Sequence, residues 1–200
     1  MKILQVGLGN NPGGMEAFVM NYFRELAGDI TMTYTACYFL ELAGYYAVEN
    51  QNGAEMLNLI YAAFKALLNP SLDNRLVRYV YELKMLVING EYPDFFACRV
   101  CGAKDNAAGF SISHNGIVCD GCIRNIADAI TLCGGTVYTL QYIVYSEIGR
   151  LFTFRVSDEV LEELRMVMAR CMNTYVDRRW KFLMHLYNLI ITLEKYVQNI

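Results

Sequence analysis

Apolar residues recur along this chain mostly at helical spacing, so the sequence predicts a mainly helical protein. The run Lys2–Gly7 is short and apolar and reads as a strand. Gly9-Asn10-Asn11-Pro12-Gly13-Gly14 then enforces a turn, and Phe18, Val19, Tyr22, Phe23 and Leu26 line one face of a helix from Met15. Together these make a βα unit. Three further helical patterns follow at Tyr34–Val48, Ala54–Leu68 and Leu72–Ile88. They are separated by Asn50-Gln51-Asn52-Gly53 and Asn69-Pro70-Ser71, and Gly90 suits the C-cap of the third. Leu72, Leu76, Val77, Val80, Leu83 and Val87 share one face of that third pattern, opposite Arg75, Arg78 and Lys84. It reads as an amphipathic, surface-packed helix.

The periodicity then breaks at a hairpin pattern. Phe110–Ser113 and Ile117-Val118 flank His114-Asn115-Gly116, and Asn-Gly predicts a tight turn. Beyond Gly134-Gly135, Thr136–Ser146 places Val137, Leu140, Ile143 and Val144 on one face. Ser157 precedes Asp158 and Glu159, an N-cap with acidic residues in the first turn, and Val160, Leu161, Leu164, Val167 and Met168 carry that helix toward Tyr175. A last, strongly apolar helix is expected from Trp180 to Tyr196, with Phe182, Leu183, Leu186, Leu189, Ile190 and Leu193 spaced for packing or for a partner.

Composition sharpens this picture. With 55 % hydrophobic and 18 % charged residues the chain has the means to fold and is not a disordered polyampholyte. Mean hydropathy is +0.23, yet no run approaches the ~18 apolar residues of a membrane span. No secretory signal pattern opens the sequence. A reducing cytoplasm is therefore expected, in which the seven cysteines are metal ligands or buried thiols, not disulfides.

Two C-x-x-C pairs, Cys98/Cys101 and Cys119/Cys122, stand 17 residues apart. Each pair can bend into a knuckle aiming two thiolates at one ion, with Gly102 and Gly121 easing the turns, and the hairpin returns the second pair to the first. The spacing predicts a tetrahedral four-cysteine zinc site. Four thiolates saturate zinc, so the ion is structural, without the open position of a catalytic centre. His114 reads as an exposed turn residue. Cys37, Cys133 and Cys171 lack a C-x-x-C partner and read as ordinary core cysteines.

The net charge of −3 excludes a surface that is basic throughout. A local patch remains: Arg178, Arg179 and Lys181 surround Trp180, with Arg165 and Arg170 one helix earlier. Such a patch could contact phosphates, or it could be a solvated helix surface. No nucleophile with a base, H-E-x-x-H or P-loop pattern is present, so no enzymatic chemistry is indicated.

From about Thr35 onward the sequence resembles the C-terminal part of the RecO family. The likeness rests on Tyr38-Phe39-Leu40-Glu41-Leu42, Tyr81-Glu82-Leu83-Lys84, the segment Cys98 to Cys122 with Gly109-Phe110-Ser111 inside it, Leu140-Gln141-Tyr142-Ile143, Tyr145 to Glu147, and Tyr175 to Lys181. The resemblance implies a bacterial, cytoplasmic and nucleoid-associated recombination mediator that is not an enzyme. Such a protein binds single- and double-stranded DNA, anneals complementary strands, and assists RecA loading with RecR and the single-strand-binding protein. RecO proteins open with an OB fold, and nothing before Thr35 supplies its five strands. Residues 1–30 instead resemble the start of a family 4 GT-B glycosyltransferase, through Lys2-Ile3-Leu4-Gln5-Val6 and Pro12-Gly13-Gly14-Met15-Glu16. The expected architecture is thus a βα segment at 1–30 and a RecO-like helical domain at 31–200, a helical bundle with the zinc hairpin inserted at 95–125. Two other readings stand beside the mediator: a protein-docking module that touches no DNA, and a glycosyltransferase fragment.

Overall fold

The structure, a computed structural model, describes residues 21–22, 25–26, 29–48 and 52–176. The strand expected at Lys2–Gly7 and the helix expected at Trp180–Tyr196 lie outside these. Of the helix expected from Met15, residues 21–22 and 25–26 are described, and they are helical.

Among the described residues the protein is mainly helical, with one small sheet. The chain divides into two compact units, one taking in the described residues up to Tyr81 and the other running from Glu82 to Val176. In the first unit, helix α1 spans Ile30–Tyr46 and α2 spans Ala54–Leu67. Helix α1 begins ahead of the expected Tyr34 because the Asp29 carboxylate accepts the Met32 N–H at 3.0 Å, an N-cap that satisfies one of the open donors of the first turn. Its buried face contributes to an aromatic pair. The Phe39 and Tyr81 rings stack with centroids 4.0 Å apart, and the buried Tyr81 hydroxyl donates to the Phe39 carbonyl at 2.6 Å.

Helix α3, Asn74–Ile88, contributes to both units. Its C-terminus closes with the Gly90 N–H donating to the Val87 carbonyl and the Glu91 N–H donating to the Leu86 carbonyl, with Gly90 at φ +72°. This is the paired bonding of a Schellman cap, as expected at Gly90. The reading of α3 as surface-packed is corrected: of Arg75, Arg78 and Lys84, placed on its polar side, Arg78 and Lys84 are buried, as is Glu82 on the same helix. Each cation has a specific partner that offsets its desolvation. Arg78 lies over the Tyr38 ring at 5.5 Å and the Tyr79 ring at 5.8 Å. Lys84 Nζ donates to the carbonyls of Ser146 at 2.6 Å, Val144 at 3.2 Å and Ile143 at 3.4 Å. Those carbonyls end helix α5, Gly134–Tyr145, so Lys84 places a cation where that helix leaves acceptors open and its dipole is negative.

The second unit holds the sheet. Strands β1 (Ala107–Ser111), β2 (Gly116–Cys119) and β3 (Ile130–Thr131) are ordered β2-β1-β3, both pairings antiparallel. The hairpin exists as expected, with a different turn: Ser111 pairs with Gly116, so the loop has four residues, Ile112 to Asn115. The Asn115 N–H donates to the Ile112 carbonyl at 3.0 Å and Asn115 takes φ +55°, a left-handed conformation that asparagine tolerates. Gly116 serves another need. A Cβ there would stand 2.3 Å from the Asp94 carbonyl oxygen, because the segment at Asp94 lies directly against β2. A short helix α4, Asp120–Ile123, follows β2. Helix α6, Asp158–Tyr175, starts as expected at Ser157, whose hydroxyl accepts the Val160 N–H at 3.4 Å, and it buries Val160, Leu161, Leu164, Val167, Met168, Cys171 and Met172.

Candidate metal centre

The first knuckle is built by the backbone. The Cys98 N–H donates to the Ala103 carbonyl at 2.7 Å and the Gly102 N–H to the Cys98 carbonyl at 2.8 Å, folding Cys98–Ala103 back on itself. Gly102 sits at φ +76°, where a side chain would be strained, so the sequence expectation for this glycine is met. The knuckle is fixed to β2 by the Arg99 N–H donating to the Ile117 carbonyl at 3.0 Å. The second pair departs from expectation, since Cys119 closes β2 and caps α4 while Gly121 and Cys122 sit within that helical turn. Gly121 has no positive φ and open space around it, so its lack of a side chain is not needed there.

Register brings the two pairs together. Strand β1 reverses through the Ile112–Asn115 loop, β2 returns to the first knuckle, and the Cys119 N–H donates to Cys98 Sγ at 3.3 Å. The four sulfurs of Cys98, Cys101, Cys119 and Cys122 lie within 4.8 Å of one another. Cys101 Sγ and Cys119 Sγ are 3.6 Å apart, far longer than the ~2.05 Å of a disulfide. The distance is close to the edge of about 3.8 Å that a tetrahedron with Zn–S near 2.3 Å requires. Cys98 and Cys119 are buried with Val118, and Cys122, Ile123, Ile126 and Ala129 pack against them.

The thiols cannot all ionise unaided. Burial pushes Cys98 up, but the backbone N–H groups of Cys101, Cys119 and Val100 more than offset this and bring it down to about 6. At Cys101 the Ala103 N–H pulls the thiol down, and the neighbouring thiols of Cys119 and Cys98 reverse that, leaving it raised. Cys122 is pushed up to about 12, first by hydrogen bonding to Cys119 and then to Cys101. Once one thiolate forms, its neighbours resist ionising, and a cation among them would relieve that repulsion. Four soft ligands gathered within 4.8 Å of one another suit zinc.

A family model for the C-terminal part of recombination protein O matches residues 27–183. The chain belongs to the RecO C-terminal family. DNA repair protein RecO of Acetivibrio thermocellus is 26 % identical over 163 residues, 81 % of this chain and 65 % of that protein. The RecO proteins of Bacillus velezensis and Bacillus subtilis are 28 % and 27 % identical over 162 residues, each alignment covering 81 % of this chain and 62 % of the relative. The chain therefore spans less than two thirds of the length of these RecO relatives.

Of the expected DNA-contacting residues in this RecO-family chain, Arg165 and Arg170 are described. Arg178, Arg179 and Lys181 lie outside the described residues. Arg165 is exposed on α6, with its guanidinium on Glu162 at 2.6–2.9 Å. Arg170 donates to the backbone carbonyl of Asp128. His114 is exposed in the hairpin loop, as expected, and is not a member of the four-sulfur cluster. The grouping of the remaining cysteines as core residues is corrected in part. Cys171 is buried, while Cys37 is exposed and Cys133 half-buried at the start of α5, where its N–H donates to Glu163 at 2.9 Å. Cys37 fails as a core residue because it falls on the solvent side of α1, a helix with apolar residues on both sides.

Sequence reasoning missed Asp128. Its carboxylate accepts the hydroxyls of Ser111 at 2.8 Å and Ser113 at 2.6 Å and the Ser113 N–H at 3.1 Å, tying the hairpin loop to the segment before β3. Burial raises this carboxyl, and the three donors more than reverse that, holding it well below the usual range. His114 Nδ1 lies 3.0 Å from Ser111 Oγ and 3.1 Å from Ser113 Oγ. Serine, histidine and aspartate meet here without forming a catalytic triad: Asp128 orients hydroxyls instead of the imidazole. No sequence motif marks this contact across 15 residues.

Proposed function

We propose that this protein acts in DNA repair as a recombination mediator of the RecO type. It binds DNA, anneals complementary strands and assists RecA loading with RecR and the single-strand-binding protein, without catalysing a covalent reaction. The observation that carries this reading is the family match, which runs through both helical units and the cysteine module. The four-sulfur cluster supports a structural zinc ion held by Cys98, Cys101, Cys119 and Cys122, since closed tetrathiolate sites fold modules and leave no position for substrate. In this reading Arg178, Arg179 and Lys181 contribute phosphate contacts. Arg165 and Arg170 contribute less, because each guanidinium is engaged within the protein. No helix among the described residues is long and apolar enough to cross a membrane, and the mediator reading places the protein in the cytoplasm with the nucleoid.

The test is strand annealing. Complementary fluorescent oligonucleotides coated with single-strand-binding protein are mixed with the zinc-quantified full chain, with and without RecR. Faster pairing of the strands supports the reading. Pairing at the uncatalysed rate, with retained binding to the single-strand-binding protein or RecR, would instead mark a docking module.

A further inference from the structure

Helix α5 presents two exposed tyrosines on one face, with the half-buried Tyr142 between them. Tyr138, Tyr142 and Tyr145 fall at i, i+4 and i+7, so they share one face. Its opposite side is buried through Thr136, Val137, Leu140 and Ile143. Tyr138 is 67 % exposed and Tyr145 88 %, two of the few large apolar side chains the described residues show to solvent. The Tyr138 and Tyr142 rings are 6.4 Å apart.

A cationic segment is anchored beside this stripe. The Tyr142 hydroxyl donates to the Arg150 carbonyl at 3.0 Å, the Thr153 hydroxyl donates to the same carbonyl at 2.8 Å, and Phe154 meets the Tyr142 ring edge-on at 5.2 Å. These contacts hold the segment Ile148–Arg155 against the helix, with Arg150 and Arg155 both exposed. Glu147 is the one acidic residue between Ser146 and Val156.

From this juxtaposition we infer that the Tyr138–Tyr142–Tyr145 face, with Arg150 and Arg155, is a stacking site for single-stranded nucleic acid. The chemistry favours that occupant over an apolar protein partner. A face awaiting a helix would carry aliphatic residues, whereas these are flat rings with polar tips, and the segment anchored at Tyr142 carries two exposed arginines, whose guanidinium groups match phosphate in charge and geometry. Aromatic platforms beside cations bind single strands regardless of sequence because every base offers a π face. Tyr138 and Tyr145 stand about 10 Å apart along the helix at 1.5 Å per residue, room for roughly three base steps at ~3.4 Å each.

The inference rests on the nucleic-acid-handling reading above, and the experiment separates the two. Binding of a fluorescent oligo-dT to the full chain is measured by anisotropy for the wild type, for Tyr138→Ala with Tyr145→Ala, for the corresponding Phe pair, and for Arg150→Ala with Arg155→Ala. Both tyrosines are exposed, so thermal unfolding should match the wild type. The Ala pair is expected to weaken binding at least tenfold, the Phe pair to retain affinity, and the Arg pair to weaken it and flatten its salt dependence. Wild-type affinity in the Ala pair would overturn the stacking site while leaving DNA binding elsewhere on the protein. Absence of oligo-dT binding by the wild type would overturn both readings. A change in self-association of the Ala pair, with DNA affinity unchanged, would reassign the face to a protein contact.

Discussion

At the scale of single residues, buried charge does structural work that its position on a helix diagram conceals. Lys84 reaches three carbonyls at the end of α5. Lys84→Met keeps most of the volume and removes the donors, leaving buried acceptors open at a cost of about 1–3 kcal/mol. A drop of that size in urea unfolding is expected, against less than about 0.5 kcal/mol for Lys65→Met at an exposed position of α2. Asp128 makes a pH-dependent contribution. Its folded carboxyl lies below its unfolded value, so its stabilisation is present above the unfolded pKa of about 3.9 and is lost as pH falls through the folded one. Asp128→Asn should therefore lower the melting temperature at pH 7, and the gap to wild type should shrink in acid below about pH 4. A gap constant from pH 7 to 2 would show that the carboxylate charge is not what ties the hairpin.

At the scale of elements, the cysteine module couples local chemistry to register. Its β strands are short, and a one-residue slip would face alternate side chains the wrong way and separate the two C-x-x-C pairs. A cation held by the four cysteines would fix the register by tying the end of β2 to the first knuckle. The purified chain is expected to carry one zinc per molecule, and cobalt substitution should give the absorption of a tetrahedral thiolate complex. Cys101→Ser combined with Cys122→Ser should abolish both. Chelation is expected to raise amide exchange at the Cys119 end of the hairpin, where Cys98, Val118 and Cys119 form a small cluster, while the helical signal in circular dichroism is largely kept. Retained hairpin protection after verified metal loss would mean that the hairpin needs no ion. This module was legible in sequence because C-x-x-C spacing and a hairpin pattern are local signals. The helices were legible for the same reason, through period and caps at Gly90 and Ser157. The burial of Arg78, Glu82 and Lys84 was not, since it depends on Tyr38, Tyr79 and the end of α5, all distant in sequence or set by packing. The four-residue turn escaped for a subtler reason: Asn115-Gly116 satisfies the two-residue pattern, yet Gly116 is committed to its contact with Asp94.

At the scale of the whole molecule, the proposed nucleic-acid role has to be met by a chain of net charge −3. An acidic chain gains no general attraction to DNA, so binding must come from few phosphate contacts supplemented by stacking. The affinity of single strands should therefore fall only modestly with salt. If three phosphates are engaged by Arg178, Arg179 and Lys181 and two by Arg150 and Arg155, the slope of log K against log salt is about −3.5, at ~0.7 per contact. Replacing the first group by Ala should reduce its magnitude by about 2, and replacing the second by about 1.4. The two losses should add if the groups contact different phosphates. Loss of slope in the first group alone would place all phosphate contacts at the Trp180 segment, and loss in the second alone would place them beside α5. The tyrosine substitutions offer an independent handle, because stacking contributes affinity with little counterion release: Tyr138→Ala with Tyr145→Ala should displace the whole salt curve downward without changing its slope.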